Sequence, residues 1–126
     1  MKRADIPIVR LLPLETRFGC DVEYASSMVP ALKKLPPIYV VSFEREFIVA
    51  DGHHRVIAHI LGGQERVPAR ILEEDKELYR FRMGILAQYK DLASLRSAYR
   101  HIYKPRREEE AIETFRDYLW SPINPE

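Results

Sequence analysis

The sequence holds a single cysteine, Cys20, in 126 residues. One cysteine cannot close an internal disulfide or supply a paired-thiolate zinc site. It reads as a small buried hydrophobe in a reducing compartment, so the expected location is cytoplasmic. No run approaches the roughly 18 consecutive apolar residues that a membrane span needs, and no membrane role is expected. The opening Met1 to Pro7 has basic residues but no apolar stretch behind them, which argues against a signal peptide. Charge of either sign is not in excess: 20 Lys and Arg face 19 Asp and Glu, a formal net charge of +1. Such a chain has no global field with which to gather DNA. Any DNA affinity would be local, weak and salt-sensitive.

What is present is ordinary for a globular protein. The hydrophobic fraction is 46% and the charged fraction 31%, which excludes a disordered or collagen-like chain. One domain of this size buries about two-thirds of its unfolded surface, enough for a real core without staples.

Composition shifts near Asp75. Before it lie four of the five glycines and most of the prolines. After it come Lys, Glu, Arg, Leu, Tyr and Ala, with no proline until Pro105. The expected organisation is a mixed α/β unit over 1–75 and a helical extension over 76–126. That extension would pack on the first unit or form a homodimer contact.

In the front, Ile6 to Leu12 predicts a strand, with Pro7 tolerated at its start or on a sheet edge. Val22 to Lys34 has helical spacing with Asp21 as N-cap, although Pro30 interrupts it. Ile38 to Phe43 is a dense β-branched and aromatic run, and with Phe47 to Ala50 it predicts a hairpin turned by Glu44 to Glu46. His53 to Leu61 predicts a helix closed by Gly62 and Gly63. Val67 to Leu72 predicts the last strand. In the back, Leu78, Ile85, Leu92 and Tyr99 recur every seven residues, an amphipathic stripe over 76–103 with Asp91 as a second N-cap. Glu108 to Trp120 predicts a final helix burying Ile112, Phe115 and Leu119, with Tyr118 and Trp120 capping it against the core.

The segment Asp51-Gly52-His53-His54-Arg55 carries the chemistry. A buried strand stops at a glycine and a helix starts at once. The first turn of a helix leaves backbone N–H groups unpaired, and the dipole makes that end an anion site. Gly52 lets a ligand approach the backbone, and Arg55 brings a planar fork for phosphate oxygens. His53 and His54 add donors near neutral pH. Three potential cations in a turn that normally repels cations conflict with the local rule, and such conflicts mark function. Asp51 also fits a plain N-cap role. His59 follows His54 by five residues and His53 by six, so no helix-face metal pair exists and no metal ligand set is expected among the histidines. Arg96, Arg100, His101, Lys104, Arg106 and Arg107 form a basic cluster, largely offset by the glutamates at 108–110.

From about Ile6 to Leu72 the sequence resembles the ParB/sulfiredoxin fold family. The matching features run in order: the Ile-Pro strand, the Leu12-Pro13-Leu14-Glu15 turn, the Pro36 to Val40 strand entry, the Asp-Gly-His-His-Arg box, and Val67-Pro68-Ala69. The box is most similar to that of the free-serine kinase branch. Sulfiredoxins carry a cysteine just after the box glycine, where this chain has His53. The resemblance implies a compact α/β (α+β) mixed sheet with helices. It also implies nucleotide-phosphate binding by Gly52, His53, His54 and Arg55, with ATP or ADP and Mg as cofactor. Glu15 and Asp51 fall at the kinase positions and would be the catalytic pair of a small phosphotransferase acting on a hydroxyl-bearing molecule. The alternative is a non-enzymatic ParB-like DNA-associated module, or a ParB-like nuclease, with its helices contacting DNA or a partner.

Overall fold

The computed structural model describes residues 1–14, 21–78, 89–102 and Phe115. Its elements run β1 (Lys2–Pro7), a 3-10 turn (Ile8–Arg10), β2 (Leu11–Pro13), α1 (Val22–Ser27), a second 3-10 segment (Val29–Lys34), β3 (Ile38–Phe43), β4 (Glu46–Asp51), α2 (His53–Leu61), β5 (Arg66–Ile71), α3 (Asp75–Leu78) and α4 (Leu92–Ile102). The five strands form one mixed sheet in the order β1-β5-β3-β4-β2. β3 is antiparallel to β4 and parallel to β5, while β1 is antiparallel to β5 and β2 parallel to β4. The expected α/β class is therefore observed.

Alternation along the strands builds two apolar faces, because successive side chains leave a strand on opposite sides. Leu11, Val40 and Val49 lie on one face with Ala25 of α1 and Val56 and Ile57 of α2. Their sequence neighbours Leu12, Val41 and Ile48 lie on the other, with Leu92, Leu95 and Tyr99 of α4. Phe115 is fully buried on the first face. Each such side chain contributes about 1.5–3 kcal/mol of burial. The fold is thus a sheet between two helical layers.

Polar contacts fix α4 to the sheet. Arg96 donates from Nε to the Ser42 carbonyl at 2.8 Å and from Nη2 to the Ser42 hydroxyl at 3.2 Å. The buried Tyr99 hydroxyl donates to the Pro13 carbonyl at 2.7 Å. Asp91 accepts from the Ser94 N–H at 2.7 Å, the predicted cap, and Asp75 accepts from the Leu92 N–H at 3.0 Å. Arg96 is thereby a structural anchor and not a free member of the basic cluster. The side chains of Arg100 and His101, and residues Lys104, Arg106 and Arg107, lie outside the described residues.

Two expected elements are corrected. Ile6 to Leu12 is not one strand: the chain turns at Ile8–Arg10, and its halves occupy opposite edges of the sheet. The apolar run continues through the turn because Ile8 is itself buried. Val22 to Lys34 is not one helix. Asp21 caps α1 as expected, accepting from the Glu23 and Tyr24 N–H groups, but the helix ends at Ser27 and a 3-10 segment kinked at Ala31 follows. Pro30, lacking an N–H and clashing with the preceding turn, is incompatible with a continuous helix. The stripe expected over 76–103 is helical at α3 and α4, and 79–88 lie outside the described residues, as do Cys20 and all of 108–120 except Phe115.

Candidate functional site

β4 delivers the chain to Asp51, and Gly52 turns it into α2. Gly52 is the N-cap, in the left-handed region at φ 110°, and no described side chain caps the first turn. This corrects the N-cap reading of Asp51. A Cβ at Gly52 would lie 2.7 Å from Ile38 Cγ2 and 3.0 Å from Arg55 Nε. Both the backbone angle and the close packing therefore require glycine. The turn opens onto a cavity of about 470 Å3, whose walls include Tyr24, Met28, Leu35, Asp51, His54 and Arg55.

Arg55 is not an idle fork. Its Nη2 pairs with Asp51 Oδ2 at 3.0 Å, and its Nη1 donates to the Pro37 carbonyl at 2.9 Å and the Pro36 carbonyl at 3.3 Å. Its side chain is 14% exposed, whereas that of Asp51 is 50% exposed. The ion pair is therefore half solvated, and it competes directly with any anion that would use the same nitrogen.

The two histidines do something the sequence did not signal. His53 is buried and its Nε2 accepts the Leu14 N–H at 2.9 Å. Burial, with a smaller contribution from the charge of His54, pushes its pKa down to about 3. It is a neutral acceptor at physiological pH. His54 Nε2 accepts the Asp21 N–H at 2.9 Å, and the His54 and Tyr24 rings meet edge to face with their centroids 5.2 Å apart. The box thus holds both described ends of the chain flanking residues 15–20. An imidazole nitrogen can accept such a bond only when unprotonated, so both Nε2 atoms act here as acceptors and not as the donors expected. Glu15 lies outside the described residues, one position beyond the Leu14 whose N–H is bound to His53.

The strands, the box and the helix starting at it define a protein of the ParB/sulfiredoxin-like fold. The structure is similar to sulfiredoxin from Arabidopsis thaliana, with a TM-score of 0.53 and 18% identity, covering 68% of this chain and 100% of that one. It is also similar to the C-terminally truncated chromosome-partitioning protein ParB from Caulobacter crescentus, solved with CTP-gamma-S, with a TM-score of 0.52 and 21% identity, covering 98% of this chain and 77% of that one. No protein-family profile and no curated protein sequence matches the chain. Among the described residues no cluster of His, Cys, Asp and Glu is arranged to hold a metal, and no helix is long and apolar enough to cross a membrane.

Proposed function

We propose that this protein binds a nucleotide through its phosphates at the start of α2. The observation that carries this is the start of α2 at the left-handed Gly52, which opens into the 470 Å3 cavity. The positive end of the helix dipole attracts phosphate, and the volume lies in the usual range for small-ligand sites, about 300–1,000 Å3. Gly52, His53, His54 and Arg55 are the proposed phosphate residues. His53 acts through its backbone, because its ring faces Leu14. Arg55 contributes by exchanging its bond to Asp51 for a phosphate oxygen. The ParB neighbour was solved with a CTP analogue, which supports nucleotide binding and places CTP beside ATP and ADP, with Mg, among the ligands to test.

In the phosphotransferase form of this proposal, Asp51 and Glu15 orient an acceptor hydroxyl or Mg. The half-exposed Asp51 carboxylate on the cavity wall supports it. Catalysis of this kind is mostly positioning and charge stabilisation. A second reading, a chromosome-associated module with DNA or homodimer contacts through its helices, draws on the ParB likeness, which covers 98% of this chain. A cytoplasmic location accompanies both.

Calorimetry with ATP, ADP and CTP, each with and without Mg, tests the first proposal. Arg55→Ala should weaken binding by about 1.5–3 kcal/mol, the size of a hydrogen bond to a charged group. Asp51→Asn separates two roles: tighter Mg-free binding if the carboxylate only competes for Arg55, and lost Mg dependence if it holds the ion. No binding of any of the three nucleotides would refute the proposal. Glu15→Gln should lower phosphate transfer with little change in nucleotide affinity.

A further inference from the structure

A cavity larger than the one at the box lies elsewhere among the described residues. It has a volume of about 700 Å3 and lies where β1 and β5 meet the 3-10 segment Val29–Lys34. Its charged residues are Arg3, Lys33, Lys34, Arg66 and Asp5, four permanent cations to one carboxylate. All five are exposed, so they form a rim. Arg66 is held there by a 3.2 Å bond from Nη1 to the backbone carbonyl of Asp5.

His59 also lines this cavity, and it differs from the rim in being only 6% exposed. Its Nδ1 lies 2.7 Å from the Arg55 carbonyl oxygen. A carbonyl can only accept, so Nδ1 carries the proton and the tautomer is fixed. In the neutral ring the other nitrogen, Nε2, is then an acceptor, and no described residue makes a hydrogen bond to it. As an acceptor in the cavity wall it can take a hydrogen bond from a molecule bound there. Leu32, Leu35 and Pro68 supply apolar wall between the rim and the histidine.

We propose that this cavity is a second ligand site, for a small phosphate monoester that carries a hydroxyl group. The phosphate meets the Arg3, Lys33, Lys34 and Arg66 rim, and the hydroxyl donates to His59 Nε2. A dianion suits the rim better than a single carboxylate, because three of the four cations would otherwise have no countercharge beyond Asp5. Arginine forks also match phosphate oxygens two at a time. The site goes beyond the box: its polar groups come from β1, β5, the 3-10 segment and the far end of α2. It touches the box through the Arg55 carbonyl that fixes His59, through Pro37, whose carbonyl accepts from Arg55, and through Leu35, which lines both cavities.

Glycerol 3-phosphate is the probe, followed by NMR of protein labelled with 15N in histidine side chains and backbone amides. The expected result is a saturable shift of His59 Nε2. Lys33→Glu with Lys34→Glu, both on the exposed rim, should weaken the titration by about tenfold or more while leaving the amide spectrum of the folded chain in place. No movement of His59 up to about 10 mM probe, beyond the millimolar range of weak specific binding, overturns the proposal. So does an affinity unchanged by the rim variant, or a shift confined to the amides of residues 52–55. ADP in place of the probe reports on the box through those same amides, so failure of one site is distinguishable from failure of the other.

Discussion

His53 should make this protein sensitive to mild acid. Its pKa falls from 6.5 in the unfolded chain to about 3 in the folded one, chiefly through burial. Between those values the unfolded state binds a proton that the native state refuses, so unfolding becomes more favourable as pH drops. The stability contribution is complete above pH 6.5 and is lost as pH falls towards 3. The slope is about 1.4 kcal/mol per pH unit for one proton. Two units below 6.5 the loss is therefore about 2–3 kcal/mol, a large share of a typical total of about 5–15. The depressed carboxyls of Asp91 and Glu77 add acid losses of their own, but only below their ordinary values of 3.8 and 4.5. The interval from 6.5 to 4.5 thus lies above both carboxyl losses, and a His53 variant separates this ring from the other histidines. Urea unfolding at both ends of it measures the effect. His53→Gln keeps an acceptor for the Leu14 N–H without a proton to gain, and should remove most of the loss. Stability of the parent that is flat to within about 0.5 kcal/mol, or an equal loss in the variant, would refute the assignment of a buried neutral ring.

Gly52→Ala should lower stability by about 2–4 kcal/mol, through a left-handed φ for alanine and a methyl pressed against Ile38; calorimetric Tm measures it. Tyr99→Phe leaves the buried Pro13 carbonyl without its 2.7 Å donor and should cost about 1–2 kcal/mol in denaturant unfolding. Asp21→Ala removes the α1 cap and should cost about 1 kcal/mol by the same assay.

Local signals in the sequence located much of this architecture. The β3–β4 hairpin, α2 with the glycines behind it, and the Asp21 and Asp91 caps follow from period, β-branching and capping chemistry, all properties of neighbouring residues. The split of Ile6 to Leu12 was invisible because both halves and the turn between them are apolar, and hydrophobic pattern records burial without recording direction. The site was half legible. A glycine between strand and helix marks the box, but the partners of its side chains are distant in sequence. Leu14 N–H on His53 and the Pro36 and Pro37 carbonyls on Arg55 are set by tertiary packing. Three apparent cations therefore resolved into two acceptors and one engaged guanidinium.

The first fourteen residues supply both edges of the sheet, with only Ile8–Arg10 between β1 and β2. Four residues of chain reach at most about 14 Å, whereas edge strands of a flat five-stranded sheet would stand about 19 Å apart. The sheet must curl until its rims approach, and the 3-10 turn spans the gap. This has a kinetic consequence. β3 and β4 meet through a short turn, but β1 reaches β5 across a separation of 61 residues, as in the Asp5–Arg66 contact. Loop-closure entropy makes that the late step of folding. Until the N-terminal segment arrives, β4 and β5 both present bare strand edges, the kind that recruit other chains. The vulnerable species on the folding route is thus an open sheet unguarded on two sides at once, and a single short segment closes both.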